Sequence, residues 1–499
     1  MSTAYGMTAV VLVVLAAVLI GAFGIRLSRT TSDFYVASRT VSPLWNASAI
    51  GGEYLSAASF LGIAGLILTY GADMLWLPVG WTGGYLVLLV LVSAPLRRSG
   101  AYTLPDFAEA RLESMAVRRV ASVLVVLIGW LYLMPQFQSA GLVLRTVTGA
   151  PVWVGALLVA AVVAVNVMSG GMRSITFVQA FQYWLKLTAL AVPLVFLVLA
   201  WRSDGSPGLS AHDAVTWALP LSGDREYGLY STYSLILATF LGTMGLPHVL
   251  VRFYTNPDGR AARRTTLVVL SLLGAFYLLP ALYGALGRIY VPELEGSDTV
   301  VLTLPGRLIG GVAGDLLTAL VTAGAFAAFL STSSGLTVSV AGVIGQDILK
   351  GGVRSFRTAA VLAVIVPLVL AIGARALPVA DVVGLAFAVA ASSFCPLLVL
   401  GIWWRRLTSA GALAGLLTGG GLACVAVLTT IGGGPHTGLA GALLAQPAAW
   451  TVPIAFAVMV VVSLLTPGRI PPGVARTMVR LHTPENLDLD RGDWRPRHT

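Results

Sequence analysis

An all-α polytopic membrane protein is the fold class this 499-residue chain predicts, and three observations carry it. Lys, Arg, Asp and Glu make up only 10% of the residues, where a soluble globular protein carries about 25%. Hydrophobic residues reach 57%, and the mean hydropathy is +0.87. The apolar residues gather into runs near the roughly 20 residues with which a helix crosses a bilayer. The same figures exclude a disordered chain, a disulfide scaffold and a soluble enzyme, none of which could cover so much apolar surface. Cys395 and Cys424 lie in apolar stretches and read as small buried hydrophobes. No metal-spaced His/Cys cluster, phosphate loop or nucleophile elbow is present in the sequence.

Taken in order, the apolar runs predict thirteen helices, at 8–25, 44–66, 75–96, 120–144, 151–169, 176–200, 232–252, 265–287, 311–344, 358–374, 381–403, 409–429 and 448–466. The first is a span and not a signal peptide, because Met1 to Thr8 carries no basic residue and Arg26 and Arg29 follow the run. The run at 311–344 is long enough to contain a bend. Basic residues divide unevenly between alternate connections. One side holds Arg26, Arg29, Arg39, Arg97, Arg98, Arg111, Arg118, Arg119, Arg173, Arg252, Arg260, Arg263, Arg264, Lys350, Arg354, Arg357, Arg405, Arg406 and six tail arginines, 24 in all. The other holds Arg145, Arg202, Arg225, Arg288, Arg307 and Arg375. This bias puts the N-terminus outside and the C-terminus in the cytoplasm. The net charge of +10 is therefore a topology signal and not a nucleic-acid footprint. The longest connection, 201–231, is acidic (Asp204, Asp213, Asp224, Glu226) and faces outside. The Pro- and Arg-rich tail 467–499 reads as loosely ordered. Two lysines beside many Arg, Ala, Gly and Val point to a bacterial inner membrane.

Two spans carry helix-weakening residues at their centres: Gly51-Gly52-Glu53 in the second and Gly242-Thr243-Met244-Gly245-Leu246-Pro247 in the seventh. Glycine costs a helix about 1 kcal/mol and proline about 3. Backbone freed from a helix cannot face lipid, so such breaks line a cavity. They occupy matching places if helices 2–6 and 7–11 form two five-helix units of opposite orientation, an arrangement that marks transport sites. The implied organisation is a helix at 8–25, repeats at 44–200 and 232–404, accessory helices at 409–466 and the cytoplasmic tail.

Polar groups at membrane depth are costly, and each asks for a role. Glu53 follows the first break, as a cation- or proton-handling carboxylate or as a group capping the broken helix in a vestibule. Ser331-Thr332-Ser333-Ser334 puts four hydroxyls in the ninth span. A monovalent cation takes about five such neutral oxygens, although helix–helix hydrogen bonding or back-bonding to carbonyls is the commoner use for them. Lys186 lies about 18 Å into the sixth span, placed to neutralise an anionic substrate or Glu53, or to snorkel outward. Gln136 and Gln138 follow Pro135 in the fourth span, and His248 follows the second break as a proton relay or a partner for freed carbonyls.

At these residues the chain resembles the sodium/solute symporter family, and within it the cation/acetate and monocarboxylate permease branch. The matching stretches are Gly51 to Gly62, Ser169-Gly170-Gly171-Met172-Arg173 with Thr176 to Gln179, Leu241 to His248 with Arg252-Phe253, Gly345 to Leu349, and Arg480 to Glu485. The resemblance implies a LeuT-like core of five plus five inverted helices and sodium-coupled alternating access. It implies a sodium ion, with a proton as the alternative, held by the carbonyls of Gly52, Leu55 and Ala328 and the hydroxyls of Ser331 and Thr332. It further implies a substrate near the midplane, touching the two breaks and Gln136; Glu53, Ser56, Ser59, Lys186, Thr243 and Gly245 are the other candidate substrate or coupling residues. Glu53 departs from the aspartate common in that branch, and Lys186 is outside the family's sodium motif.

The expected function is therefore symport of a small monocarboxylate such as acetate, propionate or pyruvate, in a lipid bilayer and without an obligate protein partner. Proline, pantothenate or another small organic solute is the rival substrate class. A membrane sensor on the same fold and an integral-membrane transferase are the rivals of other classes. Relatives of the first kind usually carry an appended signalling domain, and the second needs an acidic or His-rich catalytic loop.

Overall fold

The computed structural model describes residues 3–25, 37, 40–219, 221, 226–294, 296–349, 352–373, 379–433 and 437–485. Expectations that concern Arg26, Arg29, Arg39, Asp224, Arg225, Lys350, Arg375, Arg491, Arg495 and Arg497 fall outside the described residues. Among the described residues, eleven helical stretches are long and apolar enough to cross a membrane. Two of these stretches, Ala58–Arg98 and Val152–Ser203, continue through a glycine turn where the sequence predicts separate spans.

α1 (Thr3–Ile25) is uniformly apolar. α2 (Pro43–Tyr54) opens with proline in its first turn, where a missing N–H costs nothing. It stops at Leu55, whose ψ of 83° is not helical. A π turn (Ala58–Gly62) and α3 (Ile63–Tyr70) carry the chain on to a 3₁₀ turn at Gly71–Leu75. α4 (Trp76–Val87), a second π turn and α5 (Ser93–Arg98) return it. α6 (Leu104–Leu112) begins with a capping box of Thr103 and Asp106. α7 (Met115–Thr148) is capped by Ser114. α8 (Val152–Ser203) is two helices joined at Gly171, whose φ of 55° and ψ of −145° only glycine adopts readily. α9 (Ala211–Thr216) is a short helix capped by Ser210. α10 (Gly228–Gly245) and α11 (Pro247–Val251) are separated by Leu246 alone, extended at φ −73° and ψ 117°. α12 (Gly259–Tyr290), capped by Asp258, α13 (Val300–Leu308) and α14 (Gly311–Val343) follow. The last elements are α15 (Val353–Gly373), α16 (Val379–Trp403), α17 (Ser409–Gly415), α18 (Gly421–Ile431), α19 (Gly438–Ala445), α20 (Ala448–Leu465) and α21 (Val474–His482).

The centre of the molecule is built on α8 and α14, which pack against each other and against α1, α2 and α7, while α10 packs on α16 and α4. Four sequence expectations are corrected here. The glycines Gly51 and Gly52 are helical, and the first interruption comes after them at Leu55 and Ser56. The glycines serve close packing instead, because a Cβ on Gly52 would stand 2.1 Å from the Gln179 carbonyl oxygen. The run at 311–344 is a single uninterrupted helix through Val343. The tail is folded as far as Glu485: α21 buries Met478 and Leu481, and Glu485 Oε1 accepts from Gly259 N at 2.7 Å. Three arginines counted as loop charges, Arg97, Arg111 and Arg252, are buried because they satisfy otherwise unpaired oxygens.

Candidate functional site

A helix that ends inside the membrane leaves its last carbonyls without intrahelical donors. At the end of α2 each freed oxygen has a named partner. Gly51 O takes Leu55 N at 3.1 Å, and Tyr54 O takes Ser56 N at 2.9 Å. Glu53 O accepts from Thr332 Oγ1 at 2.5 Å. Gly52 O and Leu55 O both accept from Lys186 Nζ, the latter at 2.7 Å. The third donor position of the ammonium goes to Ser331 Oγ at 2.8 Å, and Ser331 itself donates to Ala328 O at 3.1 Å. The negative end of the α2 dipole faces this positive charge.

The five oxygens expected to hold sodium, from Gly52, Leu55, Ala328, Ser331 and Thr332, are thus brought together by α2 and α14. Four of the five already accept from donors, three of them from Lys186, and the fifth, Thr332 Oγ1, gives its own proton to Glu53 O. An ion among them would meet an ammonium at the same centre. As arranged, the set fits the ammonium and does not fit a sodium ion beside it.

Lys186 is fully buried, so it does not snorkel outward, and its hydrogen bonds go to the end of α2 and to Ser331, not to the Glu53 carboxylate. The Glu53 carboxylate belongs to Arg252, whose Nε donates to Glu53 Oε2 at 2.6 Å. Arg252 Nη1 donates to Thr176 Oγ1 at 2.9 Å and Nη2 to Gln179 Oε1. Gln179 Nε2 in turn donates to Ser331 O at 2.7 Å. The carboxyl group lies directly on Gly335 of α14, where a Cβ would stand 2.1 Å from Glu53 Cδ. Thr176, Gln179, Tyr183 and Lys186 recur at helical spacing and form one stripe of α8 directed at α2 and α14. That spacing is the signal by which Arg252's partners could have been found from sequence; Arg252 itself looked like a loop charge.

The second cluster lies between the two interruptions. Gln136 Oε1 accepts from Ala57 N at 3.0 Å, in the gap after α2, while its Nε2 is buried without a partner. Both ring nitrogens of His248, at the start of α11, are likewise buried and unpartnered, so the residue does not serve freed carbonyls. Its ring meets Tyr132 edge-on at 5.3 Å, and Tyr132 stands 5.9 Å from Phe387. Trp81 is 5.6 Å from Phe387, and its indole N–H is also unpartnered. Ser56 faces the Tyr132 hydroxyl. Thr243 and Ser59 hydrogen-bond Tyr54 and Tyr277 at 2.6 and 3.1 Å, and those two rings pack on Phe387 and Trp81 of the same cluster. Gly245 serves packing, since a Cβ there would lie 2.3 Å from Ala390 O. Gln138 is outside the cluster and donates to Ala371 O at 3.3 Å. Nothing in the sequence singled out Trp81, Tyr132 or Phe387, because aromatic residues are ordinary in apolar spans.

Charged contacts flank the site at the helix ends. Arg118 joins Asp106 at 2.8 Å, Asp347 at 2.6 Å and Glu109. Burial pushes the Asp106 carboxyl up, with Arg118 opposing it. Arg111 donates to Gly401 O at 2.7 Å and Trp404 O at 3.0 Å, and burial lowers it to about 10. At the opposite end, the Arg288 guanidinium bonds Asp213 at 2.5 Å and holds its carboxyl below the usual range. A cavity of about 280 Å³ opens near there, lined by Tyr70, Met74, Thr232, Asp381 and Gln446. Cys395 and Cys424 are free thiols, and among the described residues no group of three His, Cys, Asp or Glu side chains is placed to hold a metal.

Residues 34–419 match the model of the Sodium:solute symporter family. The uncharacterized symporter YwcA of Bacillus subtilis (strain 168) is 33% identical over 459 residues, 87% of this chain and 89% of its own. Among solved structures, a Na⁺-coupled sialic acid symporter in its substrate-bound outward-open state aligns with a TM-score of 0.73 over 92% of this chain and 97% of its own, at 14% identity. Mhp1, a nucleobase-cation-symport-1 family transporter in a closed conformation with bromovinylhydantoin bound, aligns with a TM-score of 0.57 over 91% and 99%, also at 14% identity. At such identities the likeness is one of fold, and the fold is LeuT-like, that of secondary transporters and not of enzymes. With a family model spanning most of its length and a relative matched nearly end to end, the chain belongs to the Sodium:solute symporter family, secondary active transporters that couple solute movement to sodium by alternating access.

Proposed function

We propose that the chain is a cation-coupled symporter of a small monocarboxylate such as acetate, propionate or pyruvate. Sodium is the coupling ion expected from the family, with a proton as the alternative. The observation that carries the substrate class is the cluster between the interruptions. Gln136 Nε2, His248 and Trp81 Nε1 are buried with nothing to bond, and a buried unpaired donor costs about 1–3 kcal/mol. A carboxylate supplies acceptors for these donors, while the Tyr132 and Phe387 rings meet its short apolar part. No buried cation in that cluster is needed, because each hydrogen bond to a charged group contributes roughly 1.5–3 kcal/mol.

The glycine turns at Gly71 and Gly171 read as returns through the membrane, which gives thirteen spans, with repeats at 44–200 and 232–404. The helix at 8–25 and the pair at 409–466 flank them, and the tail 467–499 lies in the cytoplasm of a bacterial cell, the N-terminus outside. Packing supports this reading. Gly52 of the second span lies on Gln179 of the sixth, and Gly245 of the seventh lies on Ala390 of the eleventh. These are equivalent pairs under a five-helix repeat. Interrupted helices in both halves let each half rock about the substrate cluster, exposing it to one side at a time.

The test is counterflow in proteoliposomes, which needs no ion gradient, with acetate, propionate, pyruvate, lactate and proline as the panel. Exchange of the monocarboxylates, accelerated by an inward cation gradient in a separate uptake assay, is expected. Exchange of proline that no monocarboxylate competes would overturn the substrate class.

A further inference from the structure

We propose that Lys186 is a tethered cation: its ammonium permanently occupies the oxygen cage between α2 and α14, so this cage takes no sodium ion. The inference rests on the symporter reading only for its context, since the geometry stands by itself. An ammonium has three N–H donors and no acceptor. Lys186 finds three oxygens for them, Gly52 O, Leu55 O and Ser331 Oγ, from three positions around one centre. The direction of the last bond is fixed, because the Ser331 proton is already given to Ala328 O. No carboxylate forms a salt bridge with Lys186 among the described residues. The charge is held by backbone dipoles and a hydroxyl, the neutral oxygens that would otherwise coordinate a monovalent ion.

The consequence is mechanical as well as chemical. A free ion would link α2 to α14 only while bound, whereas the Lys186 side chain ties both helices to α8 without any ion. Sodium that drives the symporter must then act somewhere other than the Ser331–Thr332 cage.

The decisive experiment uses the purified full chain in detergent and follows thermal stability in NaCl against KCl and choline chloride, with no substrate present. Lys186→Ala removes the amine and leaves the oxygens. It is expected to acquire a sodium-specific rise of about 3 °C at one hundred times its dissociation constant, and addition of Ser331→Ala should abolish that gain. A monodisperse Lys186→Ala protein that responds to sodium no more than the wild type overturns the proposal. Should that variant fail to fold, retention of radiolabelled sodium by the wild type decides the matter. Equal retention with and without Thr332→Ala supports the tethered cation, and loss of retention in Thr332→Ala overturns it. Neither readout involves the organic substrate, so an inactive substrate panel would count against the proposed function and leave this inference standing.

Discussion

Arg252→Ala is expected to be among the most destabilising single changes in the membrane core. The guanidinium is fully buried and makes three side-chain bonds, to Glu53, Thr176 and Gln179. Its removal leaves a carboxylate that is 1% exposed without its counter-charge. Breaking a buried pair from one side costs about 3–5 kcal/mol, most of it the penalty of the orphaned charge. At tenfold per 1.4 kcal/mol, that is more than a hundredfold in the ratio of folded to unfolded protein. The melting temperature in detergent, followed by size-exclusion after heating, should fall by roughly 3–5 °C. Glu53→Gln removes the charge instead of its partner, so the double variant Glu53→Gln with Arg252→Met should recover part of the loss. A double-mutant cycle with a coupling below about 0.5 kcal/mol would show that the two side chains are not an energetic unit and refute the reasoning.

Three further outcomes are expected. His248→Ala and Gln136→Ala should each lower kcat/KM for a monocarboxylate roughly tenfold to a hundredfold, from the loss of one bond to a charged group, with melting temperature preserved; a pure loss of stability would place them in the scaffold. Gly52→Ala should destabilise by about 1–3 kcal/mol by overpacking, because the Gln179 carbonyl stands in the way, whereas Gly274→Ala, with open space around it in α12, should be neutral or gain up to about 1 kcal/mol. The Asp213–Arg288 tether should respond to acid. With its folded pKa depressed by the Arg288 hydrogen bond, Asp213 contributes stability above its unfolded value of about 4 and loses it as pH falls through the folded value. Proteolysis around Ser203 to Trp217 should therefore be flat from pH 8 to about 5 and quicken only at more acid pH, and Asp213→Asn should remove that dependence.

Much of this could be read along the chain. Spans are legible because the hydrophobic signal is local: twenty apolar residues announce a crossing wherever they occur. The interruptions were legible to within a few residues, since proline at 247 stops a helix by its own covalent structure. The first was misplaced onto Gly51 and Gly52, which resemble a break in composition but are there for contact with Gln179. The docked tail helix was missed because its value lies in Met478 and Leu481 meeting partners far away in sequence.

The polar centre divides in the same way. Residue types and spacing sufficed to single out Glu53, Lys186 and the hydroxyl run, because any charge or polar cluster in a span is conspicuous against an apolar background. Which of them pair is a different kind of fact. Lys186 reaches oxygens 131 and 145 residues away, and Arg252 reaches Glu53 across 199. Over such separations the sequence holds no distance information, and a lysine can as readily face a carboxylate as a helix end. Only the packing of α8 against α2 and α14 makes that choice. It leaves the carboxylate to an arginine that looked like a loop charge, and it sets the lysine's ammonium where an ion was expected.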